Sequence, residues 1–226
     1  MSRLVTFGCS NTFGYALSDV WDYKKNIPIV DGPPSKYAWP QLLADKLDLE
    51  CVNLGIPGAS NKQIWHTIIN TEFFETDIVI ILWSWYNRWC VLDKKQNNNK
   101  IKQFHQYQKN NDAKIFFKHL HTTYDMVVDF YLRCNHIETL LKDKIKIIKQ
   151  GSQECGKIIE SRLNVDDDNR QLYDQNVYFV PKWNKVSFLK FNLSNFRDQN
   201  NLAHDNKHVG PKTYEKFAMT IYEELL

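Results

Sequence analysis

Leu4-Val5-Thr6-Phe7-Gly8-Cys9-Ser10-Asn11, three residues into a chain of 226, is a short apolar run that stops at a glycine. Four such residues closed by Gly8 predict a buried strand ending in a tight turn, and the first reactive hydroxyl beyond that turn belongs to Ser10. Near the far end of the chain, Asp205-Asn206-Lys207-His208 brings an acid and a base into one short segment. A serine at the end of a first strand, with Asp and His delivered from the far end, supplies the parts of nucleophilic catalysis. The hydroxyl is a weak nucleophile, the imidazole takes its proton, and the carboxylate orients the imidazole.

Outward from that strand, apolar runs and helical periods alternate. Residues 35–47 carry Ala38, Leu42, Leu43 and Leu47 near helical spacing, with Pro40 close enough to the start to be tolerated. Cys51-Val52-Asn53-Leu54 predicts a second strand closed by Gly55-Ile56-Pro57-Gly58, and Ser60-Asn61 can cap a helix through Ile64, Trp65, Ile68 and Ile69. Ile78-Val79-Ile80-Ile81-Leu82 is a continuous apolar run, the pattern of a strand covered by helices on both faces. Residues 125–141 return to helical period, and Lys144-Ile145-Lys146-Ile147-Ile148 reads as a further strand. Val177-Tyr178-Phe179-Val180 reads as a last strand or a short extended piece, and Gly210-Pro211 introduces a closing amphipathic helix.

Two stretches break the alternation. Residues 93–123, rich in Asn, Gln, Lys and His, read as a long excursion rather than sheet, and residues 150–176, with Asp166-Asp167-Asp168, as a solvated loop or insertion. The whole is expected to be one α/β domain, 1–226, built on a doubly wound, mostly parallel sheet. Ligands of such sheets bind beyond the carboxyl ends of the strands. Ser10, Gly58, residues 84–87 and the Asp205–His208 segment all fall at that edge.

Composition narrows the function classes. The chain is 43% hydrophobic and 14% aromatic, which argues against disorder, and its net charge of +3 is spread along the sequence, so no nucleic-acid partner is expected. Five cysteines without a CxxC pair fit reduced thiols in a cytoplasm better than disulfides or zinc. No apolar stretch approaches the roughly 18 residues of a membrane span, and no leader precedes Leu4, so neither membrane nor export is expected. Gly8 to Gly14 lacks both the GxGxxG spacing and a following Lys-Ser or Lys-Thr pair, which disfavours a nucleotide site. His119-x-His121, with His105 and His136, has no specific metal spacing, so neither metal nor cofactor is expected. Trp83, Trp85, Tyr86 and Trp89 fit either a stacking wall at the sheet edge or buried packing.

These motifs resemble those of the SGNH or GDSL hydrolases over nearly the whole chain. Gly8-Cys9-Ser10, with its trailing Gly14, is similar to the family's Gly-Asp-Ser block. Asn53-Leu54-Gly55-Ile56-Pro57-Gly58 is similar to Asn-x-Gly-x-x-Gly, Trp39-Pro40 also looks like the family, and Asp205-Asn206-Lys207-His208 matches the last block, Asp-x-x-His. The resemblance implies a three-layer α/β/α sandwich with a flavodoxin-like sheet. It also implies a serine esterase without cofactor, in which Ser10 is the nucleophile, His208 the base and Asp205 its orienter, with backbone N–H groups of Ser10 and Gly58 facing the oxyanion. A small-molecule or glycan ester, such as an O-acetyl group held near Trp85 and Tyr86, would be the substrate.

Two positions depart from the pattern. Cys9 stands where the family has aspartate, and Ser84-Trp85-Tyr86-Asn87-Arg88 stands where it has Gly-x-Asn-Asp. An ungapped overlay puts Tyr86 at the oxyanion asparagine, and a loop one residue longer would use Asn87. A Trp-Ser loop like that of a divergent viral branch, which this sequence resembles, would use Ser84; in a virus the compartment would be the host cytoplasm. The altered block also motivates a competing expectation, a binding or structural protein that keeps the fold with little or no catalysis. Nothing in the sequence sets an oligomeric state.

Overall fold

The computed structural model describes residues 2–86, 88–92, 101–105, 111–120, 123–153 and 189–226. Strand β1 (Arg3–Gly8) leads into a single helical turn, α1 (Ser10–Phe13), and a loop that holds a short hairpin, β2 (Trp21–Asp22) with β3 (Ile27–Pro28). Helix α2 (Trp39–Leu47), strand β4 (Glu50–Gly55), helix α3 (Asn61–Ile69) and strand β5 (Ile78–Trp83) follow. A second hairpin, β6 (Arg88–Leu92) with β7 (Ile101–His105), precedes α4 (Asn111–Ile115), a π-helical turn (Phe116–Leu120) and the long α5 (Thr123–Leu141). Strand β8 (Ile147–Ser152), a 3-10 turn (Leu193–Phe196) and α6 (Pro211–Leu225) complete the described chain.

The central sheet has the order β4-β1-β5-β8, all parallel. Strand β1 lies inside it, paired Gly8 to Gly55 on one side and Gly8 to Leu82 on the other, so the apolar run that opens the chain is covered on every side. Alternation along the strands splits the core into two layers. Val5, Phe7, Val79, Ile81 and Trp83 point to one face and pack on Ile64 and Ile68 of α3 and Val127, Phe130 and Ile137 of α5. Leu4, Ile80 and Leu82 point to the other and pack on Trp39 and Leu43 of α2 and Tyr214, Phe217 and Ile221 of α6. Trp39 meets Phe217 edge to face at 5.5 Å. This is the expected three-layer α/β/α sandwich.

The amino ends of the two interior strands are pinned together. Arg3 Nη2 reaches the buried Asp77, just before β5, at 2.7 Å, and Asp77 also accepts the Phe74 N–H at 2.9 Å. Burial works to raise the Asp77 carboxyl, but the hydrogen bonds and charge of Arg3, with the Phe74 N–H, outweigh it and hold the group below the usual carboxylate range.

Three sequence expectations change. The strand expected at 144–148 begins at Ile147, because the Lys144 and Ile145 N–H groups both close the end of α5 on the Leu141 carbonyl at 2.8 Å. Residues 150–152, assigned to the insertion, continue β8: Gln150 is fully buried and accepts from Trp83 Nε1 at 2.8 Å. The 93–123 excursion contains sheet, since β7 pairs antiparallel with β6, but it lies outside the central sheet. The strand expected at 177–180 lies outside the described residues.

Candidate functional site

The β1 strand ends at Gly8, and the chain turns at once into α1. Thr12 and Phe13 donate to the Cys9 carbonyl at 3.0 Å, and Gly14, at φ +80°, closes the turn on the Ser10 carbonyl. Ser10 therefore sits on the first residue of a rigid turn at the carboxyl edge of the central strand, only 5% exposed.

The opposite group arrives on the loop before α6. Leu202 and Val209 bridge across the base of that loop, the Ala203 N–H donates to the His208 carbonyl at 3.0 Å, and the His204 N–H ties the loop to the Ala16 carbonyl at 3.0 Å. Arg197 Nη2 adds a bond to the Lys207 carbonyl at 2.8 Å. Within the loop, Asp205 Oδ1 accepts the N–H groups of Lys207 and His208, both at 3.0 Å, and its Oδ2 lies 2.6 Å from His208 Nδ1. The second ring nitrogen, His208 Nε2, lies 2.9 Å from Ser10 Oγ. Tyr15 flanks the imidazole with its ring centroid 4.7 Å away.

Electrostatics follow from these contacts. Burial pushes the Asp205 carboxyl up, yet the backbone N–H and ring of His208, with the Lys207 N–H, more than offset it and hold the group below its ordinary value. An ionised Asp205 accepts the proton on Nδ1, which leaves Nε2 as the basic nitrogen facing the Ser10 hydroxyl. The three groups can thus take a proton from Ser10 and hold the resulting imidazolium.

The glycine block is brought to the same edge. Asn53 Nδ2 donates to the Thr12 carbonyl at 2.8 Å while its Oδ1 accepts the Gly55 N–H at 2.9 Å, and the Ile56 N–H donates to the Gly8 carbonyl at 3.0 Å. Gly55 has no room for a side chain, since a Cβ there would lie 2.5 Å from the Phe13 nitrogen. Gly58 turns the chain into α3 at φ +77°, a left-handed conformation that glycine adopts without strain.

The loop after β5 is divided. Ser84 is buried and accepts from Arg88 Nη1 at 3.0 Å. Trp85 is 37% exposed and faces outward, whereas Tyr86 is 6% exposed and packs in the core with Cys9, Ala59 and Trp83. Tyr86, expected to line a substrate wall, is thus about as buried as Ser10 and shares a core cluster with Cys9, the residue before that serine. Asn87 lies outside the described residues. Among the metal candidates, His136 Nδ1 accepts from Trp65 Nε1 at 2.7 Å, and His121 lies outside the described residues. No group of three potential metal ligands occurs among the described residues.

Sequence reasoning missed Gln153, just past β8. Its Nε2 donates to Cys9 Sγ at 3.5 Å, its Oε1 accepts from Asn11 Nδ2 at 2.7 Å, and its own N–H donates to the Trp83 carbonyl at 3.0 Å. It clamps the residues on both sides of Ser10. The available signal was a glutamine just beyond the carboxyl end of a strand, where a parallel sheet gathers its polar groups.

The fold is a parallel sheet between two helical layers, with Ser10 at the tip of β1 and the Asp205–His208 loop ahead of the last helix. No protein-family model matches the chain, and no curated protein does. Among solved structures, an acetyl xylan esterase from the rumen bacterium Butyrivibrio proteoclasticus shares this fold at a TM-score of 0.51 and 15% identity, over 99% of this chain and 63% of that one. A protein described as lipolytic, of the G-D-S-L family, from Desulfitobacterium hafniense DCB-2 aligns over 98% of both chains at a TM-score of 0.48 and 12% identity. A carbohydrate esterase, described as having an active site with divergent catalytic and non-catalytic binding functions, aligns at a TM-score of 0.45 and 12% identity, over 99% of this chain and 64% of that one. The chain thus spans less than two thirds of the length of the two esterases. Among the described residues no helix is long and apolar enough to cross a membrane.

Proposed function

We propose that the protein is a serine ester hydrolase of SGNH type acting on a small acyl ester, with an O-acetyl group on a glycan as the leading substrate class. The observation that carries this reading is the unbroken line from Asp205 Oδ2 to His208 Nδ1 at 2.6 Å and from His208 Nε2 to Ser10 Oγ at 2.9 Å. Ser10 Oγ attacks the ester carbonyl carbon as its proton passes to His208 Nε2, and the carbonyl π pair moves onto oxygen. Backbone N–H groups of Ser10 and Gly58 donate to that oxyanion. Collapse breaks the ester C–O bond, the leaving alkoxide takes the proton from His208, and the acyl group stays on Ser10. A water then gives its proton to His208, attacks the acyl carbon, and releases the acid as Ser10 recovers its proton. Asp205 stays ionised throughout and stabilises the imidazolium.

The glycan preference draws on Trp85, whose exposed indole just past β5 offers a flat face of the kind that packs against a sugar ring. The fold shared with an enzyme named as an acetyl xylan esterase supports the same class. The test is turnover of p-nitrophenyl acetate together with labelling by a fluorophosphonate probe. Wild-type protein is expected to give both and Ser10→Ala neither. Equal signals from the two proteins would leave the reading untenable and favour a binding protein that keeps the fold without the chemistry.

A further inference from the structure

Asn61, the first residue of α3, is 3% exposed, and neither its Nδ2 nor its Oδ1 has a hydrogen-bond partner. It is the one residue among those described with both polar atoms of a buried side chain unpaired. A buried amide with no partner at all would cost on the order of a few kcal/mol, so this one is matched by something other than the protein's own groups: a water, a ligand or a reacting atom. Helix capping does not supply a partner. The N-cap is Ser60, whose hydroxyl already accepts the Gln63 N–H at 3.3 Å, and Asn61 stands one residue inside.

Its position in the fold narrows the role. Asn61 follows Gly58 by three residues, a distance the chain can span only to about 10 Å even when extended. The turn that carries both is bonded through the Ile56 N–H to the carbonyl of Gly8, two residues before Ser10. Ala59 and Ile64, on either side of Asn61, belong to the same core layer as Cys9, Trp83 and Tyr86, so the first turn of α3 is buried on the face of the sheet that carries the residue before Ser10. The described residues of the loop after β5 offer little competition, because Ser84 is engaged by Arg88 and Tyr86 is taken up in the core.

We propose that Asn61 Nδ2 is the side-chain donor to the oxyanion, completing the set formed by the backbone N–H groups of Ser10 and Gly58. The inference rests on the ester-hydrolase reading. An amide held in place by the fold, with no protein partner to give up, is free to donate when negative charge appears on the substrate oxygen, which is where a preorganised donor gains most. Its cost to the resting fold is the counterpart of that gain.

The experiment compares wild type with Asn61→Leu, which keeps the branching and heavy-atom count and removes both polar atoms, and Asn61→Asp, which keeps the shape and removes the donor. Both variants are expected to lose about 10²- to 10³-fold in kcat on p-nitrophenyl acetate with KM changed less than about threefold. Affinity for a trifluoromethyl ketone, which forms a tetrahedral adduct on Ser10, is expected to fall in parallel, while affinity for acetate is unchanged. The thermal midpoint of Asn61→Leu is expected to equal or exceed that of wild type, since a desolvated amide has been removed. A purely structural asparagine would instead lower the midpoint and weaken product and adduct alike. Retention of kcat within threefold in either variant, or equal loss of adduct and acetate affinity, overturns the proposal while leaving the hydrolase reading intact. A wild type without Ser10-dependent turnover overturns both.

Discussion

Asp205 holds its place in the site through three hydrogen bonds made within its own four-residue segment. In Asp205→Asn the two backbone donors keep an acceptor, so the loop is expected to persist, but the ring loses the carboxylate that fixes its tautomer. We expect kcat on p-nitrophenyl acetate to fall by about 10² to 10⁴ with little change in KM, measured beside circular dichroism to confirm the fold. The meeting of Ser10 with Asp205 and His208 was legible in the sequence because it is signalled by residue type and short spacing. Gln153 and Asn61 were not, because their significance comes from where folding puts them. Gln153 acts on residues more than 140 positions away, and Asn61 reads as an ordinary helix-start residue until its amide is found buried without a partner.

At the scale of elements, legibility followed apolar continuity. β1 and β5, flanked by strands on both sides and helices on both faces, show unbroken apolar runs, and the strand at residues 51–54 was found through its closing glycines. β8 was displaced because its carboxyl half is polar: Gln150 enters the core only by bonding Trp83 and donating to the Cys134 carbonyl at 3.1 Å, a solution invisible to hydropathy. The hairpin of β6 and β7 escaped notice because residues 93–100 between its strands are dominated by Asn, Lys and Gln. The Arg3–Asp77 pair makes a separate prediction for the interior strands. Replacing Arg3 by Leu strands a buried carboxylate and is expected to cost about 3 kcal/mol at pH 7, read by denaturant unfolding. Because the Asp77 carboxyl is held below its unfolded value, near 3.9, the wild-type advantage is present above that pH. It should shrink as pH falls through the lower folded value, where Asp77 takes a proton. An Arg3→Leu deficit that stays constant from pH 7 to pH 2 would contradict this assignment.

For the whole molecule, the two halves of the site belong to parts of different strength. Ser10 opens a turn bonded directly to an interior strand, whereas His208 rides on a loop whose tip, residues 204–208, is exposed or half-exposed and is tied down by the His204 N–H to the buried Ala16 and by Arg197. Local openings draw on the elements with fewest buried contacts, so the loop is expected to leave before the sheet does. Esterase turnover in rising urea should therefore be lost at a lower concentration than far-ultraviolet helix signal, and coincident midpoints would show that loop and sheet open together. The bridge between Leu202 and Val209 gives that opening a particular character. Because it closes the loop on itself, and Asp205 bonds His208 within four residues, the pair is expected to keep its mutual geometry when the loop lifts from the serine. The acid-base pair behaves as a preassembled cartridge, and seating it against Ser10 is a single docking event. Regulation or inhibition of such a protein would need only to wedge that seat, without touching the side chains of Ser10, Asp205 or His208.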